Sequence, residues 1–419
     1  MPGDGIRLLS KIGLFSIEPH PSKQESREIL IDLFLTFARV GSTTFGMTML
    51  QEIRRVSLAR GWATPESFDR GVALVQVYPG PMMVDLVAFV AYRKAGVAGA
   101  ICAVTGFVLP ASTLMLVLAA IYFRLGDQAW VGALSTGLAV LVTGLTADMA
   151  WTFTRQHVGS LVGAALMLFG MAPMLLGVGQ FWPILAGLMV GAFAIRAAEP
   201  QSGGAPSASP PLRLGGPLAV AVTIVLAIAA LSSIRGPLGD LTLAFARIGS
   251  VAFGNGSTIL PLLQQTAVNE WGWLSFHDFA VGLALGQITP GPILNTATFI
   301  GYAVAGWPGA VAATFAIFAP TFAMTLVFTE LFERIQAHAW VRGAAQGVLA
   351  AFAGLLVAFV FRLGESVLSD VPAGLFAIGA LAASRLLKWS APIVLGVGML
   401  CWMFYTFFID GLHVWFFGG

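Results

Sequence analysis

The sequence predicts an all-α polytopic membrane protein, built from two homologous repeats of inverted topology with broken or re-entrant helices. Three observations predict it. Charged residues make up only 10% of the 419 positions and the apolar set 57%, whereas a soluble domain carries about 25% charge. Residues 156–195 run for 40 positions without Asp, Glu, Lys or Arg, and 279–329 for 51; one crossing needs about 20. Finally, the second half of the chain restates the first. The formal charge of +2 argues against nucleic acid as a partner, since that would need clustered positive charge. Cys102 and Cys401 both lie in apolar stretches and suggest neither a disulfide framework nor a metal site.

In chain order, residues 1–30 form an N-terminal surface tail without the apolar core of a signal peptide. The first repeat covers 31–196. It holds interrupted segments near 31–50 and 71–92, spans at 96–123 and 129–147, and two spans within 156–195. Residues 197–217 are a flexible Pro/Gly/Ser linker with nothing to bury. An extra connecting transmembrane helix follows at 218–240, centred on the apolar run 214–234. The second repeat covers 241–410, with interrupted segments near 241–263 and 371–384, two spans in 279–329, and runs at 343–361 and 389–409. A C-terminal tail, 411–419, closes the chain, and about 13 passes is the upper count.

The repeat rests on four blocks in order. FARVGSTTFG (37–46) matches FARIGSVAFG (245–254) at seven of ten positions, and VALVQVYPGP (72–81) matches LALGQITPGP (283–292) at six. AYRKAGVAGA (91–100) matches GYAVAGWPGA (301–310) at five, and Pro110 and Trp130 match Pro320 and Trp340. The offset stays between 208 and 211. If every segment crosses, seven passes separate the two openings, so the copies face opposite ways. Charge agrees: 47–70 carries Arg54, Arg55, Arg60 and Arg70, and its counterpart 255–278 carries no Lys or Arg. The tail's Arg7, Lys11, Lys23 and Arg27 leave the absolute orientation open, because they and 47–70 share one side only if 31–50 is re-entrant. Inverted repeats are the architecture of many secondary transporters.

Each repeat carries a PGP triplet in an apolar segment: Pro79-Gly80-Pro81 and Pro290-Gly291-Pro292. Two prolines around a glycine break a helix. Inside hydrocarbon such a break is tolerated only against protein or a water-filled cavity. The half-helix that restarts there offers free N–H groups and a positive dipole end, which suits an anion. The plain alternative is a structural kink, but paired interruptions point to a substrate site. Arg39 and Arg247 sit on apolar helices beside Ser42 and Ser250 and ahead of Gly46 and Gly254. They are read as anion partners or as arginines snorkelling to the interface. Gln76 and Gln287 lie three residues before each triplet, and Thr289, Asn255 and Asn295 add polar donors in the second copy. Asp85 and Asp148 are the acids deepest in apolar surroundings and the candidates for proton coupling. The histidines are scattered and no nucleotide or hydrolase motif is present, so no catalytic residue, metal or cofactor is expected.

At these residues the chain resembles the chromate ion transporter family in its two-domain, long-chain form. The marks are Phe37, Arg39, Gly41, Phe45 and Gly46, then Trp62, then Gln76 with the first PGP; and Phe245, Arg247, Gly249, Phe253 and Gly254, then Trp273, then Gln287 with the second. The resemblance covers about 31–410. It departs where the family's second glycine is Met47 or Asn255, and where Met82-Met83-Val84-Asp85 follows the first PGP. The resemblance implies a secondary transporter that exports chromate across the bacterial inner membrane and confers chromate resistance. A sulfate or other oxyanion carrier is the alternative within transport, and a membrane-embedded redox enzyme the alternative outside it. The expected partners are the oxyanion and membrane lipid, with a homodimer left open.

Overall fold

The computed structural model describes residues 23–46, 48–76, 78–125, 128–176, 181–195, 214–251, 258–335 and 339–410. Among these the chain forms fifteen α-helices and no strand. The first half gives α1 (Lys23–Thr43), α2 (Thr48–Ala59), α3 (Pro65–Leu74), α4 (Met82–Leu125), α5 (Ala129–His157), α6 (Leu161–Leu176) and α7 (Phe181–Ala194). Helix α8 (Gly215–Ser232) stands between the halves. The second half gives α9 (Pro237–Val251), α10 (Ile259–Gln264), α11 (Phe276–Ile288), α12 (Thr296–Ile335), α13 (Ala339–Val367), α14 (Val371–Arg385) and α15 (Ala391–Phe404). The stretches containing α4, α5, α8, α12 and α13 are each long and apolar enough to cross a membrane. Residues 1–22, 196–213 and 411–419 lie outside the described residues; residues 23–30 of the expected tail belong to α1, and 215–217 of the expected linker open α8.

The sequence repeat has a structural counterpart. Helices α5 and α13 begin 210 residues apart, as do α6 and α14, and α7 and α15. Both α4 and α12 break at an Ala-Gly pair: Gly96 has φ 63° and ψ −156°, and Gly306 has φ 60° and ψ −149°. Only glycine adopts this conformation without strain. Phe37 lies against Trp62 with ring centroids 5.6 Å apart, and Phe245 lies against Trp273 at 6.4 Å. Those aromatic marks of the two motifs therefore clip the first helix of each half to the segment that follows it.

Small residues let helices meet backbone to backbone. A Cβ at Gly41 would overlap the Phe107 carbonyl, and one at Gly249 the Ile317 carbonyl. These contacts seat α1 on α4 and α9 on α12. The later helices exchange partners between halves. Gly144 of α5 packs on Ala377 of α14, and Gly354 of α13 packs on Met167 of α6. The two contacts are the same one with the halves swapped. Helices α6 and α7 (16 and 14 residues) are about 21–24 Å long at 1.5 Å per residue, short of a hydrocarbon core about 30 Å thick. The run 156–195 is thus a short helical pair where two full spans were expected. The run 279–329 is cut at the second PGP and again at Gly306.

Candidate functional site

Both PGP triplets sit where a helix stops and another starts. Helix α11 ends at Ile288, Thr289 turns to extended backbone, and a 3-10 turn at Ile293–Asn295 leads into α12. Gly291 holds φ 98°, and its N–H donates to the Thr44 carbonyl at 3.0 Å. Thr44 lies just past the end of α1, so the second triplet is pinned to the close of the first Phe-Gly motif. In the first half, α4 starts directly after Pro81, whose carbonyl accepts from the Val84 and Asp85 N–H groups. The neighbouring Tyr78 hydroxyl donates to Thr325 Oγ1 at 2.8 Å, and its ring stacks on Phe328. Each triplet is thus held by the other half of the chain.

Between them lies a cavity of about 450 Å3. Gly46, Pro81, Gln287, Thr289, Gly291 and Pro292 line it, so one Phe-Gly turn and both PGP corners reach the same space. Gln287 is buried and its Nε2 finds no hydrogen-bond partner. Asn295 is fully buried behind this wall; its Oδ1 accepts from Ser112 Oγ at 3.0 Å, leaving Nδ2 without a partner. Unsatisfied buried donors cost free energy, typically about 1–3 kcal/mol each, and an acceptor entering the cavity recovers it. Asp148 lines the far wall and is tied to Ser384 Oγ at 2.7 Å and to Arg385 at 3.2 Å.

Other sequence candidates lie elsewhere. Arg39 and Ser42 are exposed, with the Ser42 hydroxyl donating to the Arg39 carbonyl. Helical register explains it: Phe37, Val40 and Gly41 are the buried face of α1, and position 39 points away. The Glu52 carboxyl is held below its usual value, first by its hydrogen bond from Arg55 and further by the Arg39 charge. Arg247 and Ser250 line a separate groove with α8 and α12. Gln76 is exposed because α3 stops at Leu74, whereas α11 continues through Gln287. Of the first triplet, Pro79 and Gly80 stand behind Pro81 and do not line the cavity, and Pro290 likewise stands behind Gly291. Asp85 is fully buried beside the Thr325 and Tyr78 hydroxyls and away from the cavity. Gly254 and Asn255 lie outside the described residues.

The cavity also holds groups that motif reading missed: Thr152, Gln156, Ser384 and Ser390. Asp148, Thr152 and Gln156 are spaced i, i+4, i+8 on α5 and share one face. That polar stripe in an apolar helix was the available signal.

The family model described as chromate transporter matches residues 31–194 and again 239–403. A chromate transport protein of Cupriavidus metallidurans is 29% identical over 376 residues, covering 87% of this chain and 90% of that protein. A chromate transport protein of Pseudomonas aeruginosa is 28% identical over 397 residues, covering 88% and 91%. The uncharacterized transporter YwrA of Bacillus subtilis is 29% identical over 125 residues, 30% of this chain but 70% of its own. No solved structure matches. With both halves matched and the triplets meeting at one cavity, this chain belongs to the chromate transporter family.

Proposed function

We propose that the protein exports chromate across the inner membrane and so confers chromate resistance, with the anion held in the cavity between the PGP corners and the two halves inverted. The observation that carries this is the shared cavity with its unsatisfied Gln287 amide. A dianion loses a large hydration energy on entering such a site, so several dipolar partners must replace water together. The Gln287 amide and the main-chain N–H groups after Pro81 and Pro292 are those partners, with the Thr289 hydroxyl, bonded to the Gly286 carbonyl, on the same wall and the Asn295 amide behind the second triplet. Gly46 and Gly291 let backbone approach the anion without a side chain intervening. At about 450 Å3 the space has room for the ion together with water.

Direction follows from charge. One charge crossing 100 mV is worth about 2.3 kcal/mol, so a dianion gains about 4.6 kcal/mol on leaving an inside-negative cell. Asp148 and Asp85 are the proton-coupling candidates; Asp148 faces the cavity, and Asp85 is sealed behind it. Sulfate, with the same shape and charge, is the competing substrate. Flux of chromate and of radiolabelled sulfate into inside-out proteoliposomes, under an imposed potential and an imposed pH gradient separately, tests the reading. Chromate movement driven by the potential is expected. Sulfate movement with no chromate movement would replace chromate as the substrate.

A further inference from the structure

The two PGP corners differ in what fills them. At the second, Gln287 and Asn295 are 9% and 0% exposed, and their Nε2 and Nδ2 atoms have no partner. Asn295 Nδ2 lies 3.5 Å from where a Cβ on Gly291 would stand, so this donor faces the triplet. Two buried amide groups with donors to spare, beside a restarting helix, match an oxyanion. At the first corner the chain fills the equivalent space itself. Asp85 lies in the first turn of α4. Its Oδ2 packs so closely on Gly80 that a Cβ there would overlap it. Its carboxyl oxygens are inaccessible and lie beside the Thr325 and Tyr78 hydroxyls. The first turn of α12 has Thr296 instead, whose hydroxyl donates back to the Ile293 carbonyl at 2.9 Å.

We propose that the corners have divided the work: the second binds one tetrahedral oxyanion, and the first is occupied by the Asp85 carboxyl group as a tethered stand-in for a second. The chain then binds one anion, not two, although it has two PGP triplets. This rests on the reading that the cavity holds the substrate.

Equilibrium binding of radiolabelled sulfate, and of chromate, to the purified full chain tests it. The wild type binds one anion per chain. Asn295→Ala weakens that site at least tenfold. Asp85→Ala keeps it and gains a second, weaker site, approaching two anions per chain; Asp85→Ser serves if the alanine variant does not fold. Two anions per wild-type chain overturn the assignment and leave the cavity reading intact, as does a count that stays at one in a folded Asp85 variant. No binding by the wild type removes the cavity reading, and this assignment with it.

Discussion

Residues 79–85 and 290–296 began as one design and now present opposite chemistry. Both place a glycine between prolines at the start of a long broken helix, and both are braced by the other half. Yet the first corner encloses a carboxyl group and the second encloses unsatisfied amides. Backbone geometry is thus shared while the side chains enclosed at each corner are not. In a duplicated transporter, a repeat locates the site, and the places where the copies disagree assign roles within it.

That comparison can be broken most severely at its shared framework. Gly144→Leu and Gly354→Leu each drive a side chain into the backbone of the other half. Each is expected to cost about 3 kcal/mol or more and to abolish a monodisperse peak in size-exclusion chromatography. One variant folding normally would break the equivalence of the two halves. Next come the paired glutamines. Gln287→Leu is expected to cut chromate flux at least tenfold, about 1.4 kcal/mol or more, and Gln76→Leu to stay within about twofold. Equal losses would return Gln76 to the site.

Smaller effects sharpen the same contrast. Gly96→Ala and Gly306→Ala force a side chain into a glycine conformation, each costing about 1–3 kcal/mol, read as a lower Tm of similar size for both. Arg39→Ala is expected to leave flux within about twofold, since the guanidinium lies on the exposed face. Loss of flux without loss of protein would restore Arg39 as an anion partner. Asp148→Asn releases a partly exposed ion pair with Arg385, a change of about 1 kcal/mol or less. Its flux under an imposed pH gradient should match the wild type if Asp148 only braces α14, and lose the pH response if it carries a proton.

Much of the architecture was legible because its causes are local. Pro-Gly-Pro stops a helix wherever it occurs, and seven of ten identities at one offset announce a duplication. The side-chain roles were less legible, because they depend on where each helix ends and which way it is turned. Gln76 and Gln287 are equivalent in sequence, but α3 ends before the first and α11 continues past the second. Arg39 looked costly in an apolar helix, and only the packing of Phe37 and Gly41 on α4 shows it turned outward. The cavity's far wall belongs to α5 and α14, which no motif links to the triplets.

The exchange of partners between α5–α7 and α13–α15 carries a consequence for any chain with one copy. Gly144 has its seat on Ala377 and Gly354 has its seat on Met167, so neither half closes these grooves alone. A lone half would leave a seam of bare backbone facing lipid until a sister molecule supplied the missing helices. Fusing the copies into one polypeptide guarantees that sister at fixed proportion, and it frees each to acquire substitutions, such as Asp85, that an identical pair could not carry on one side only.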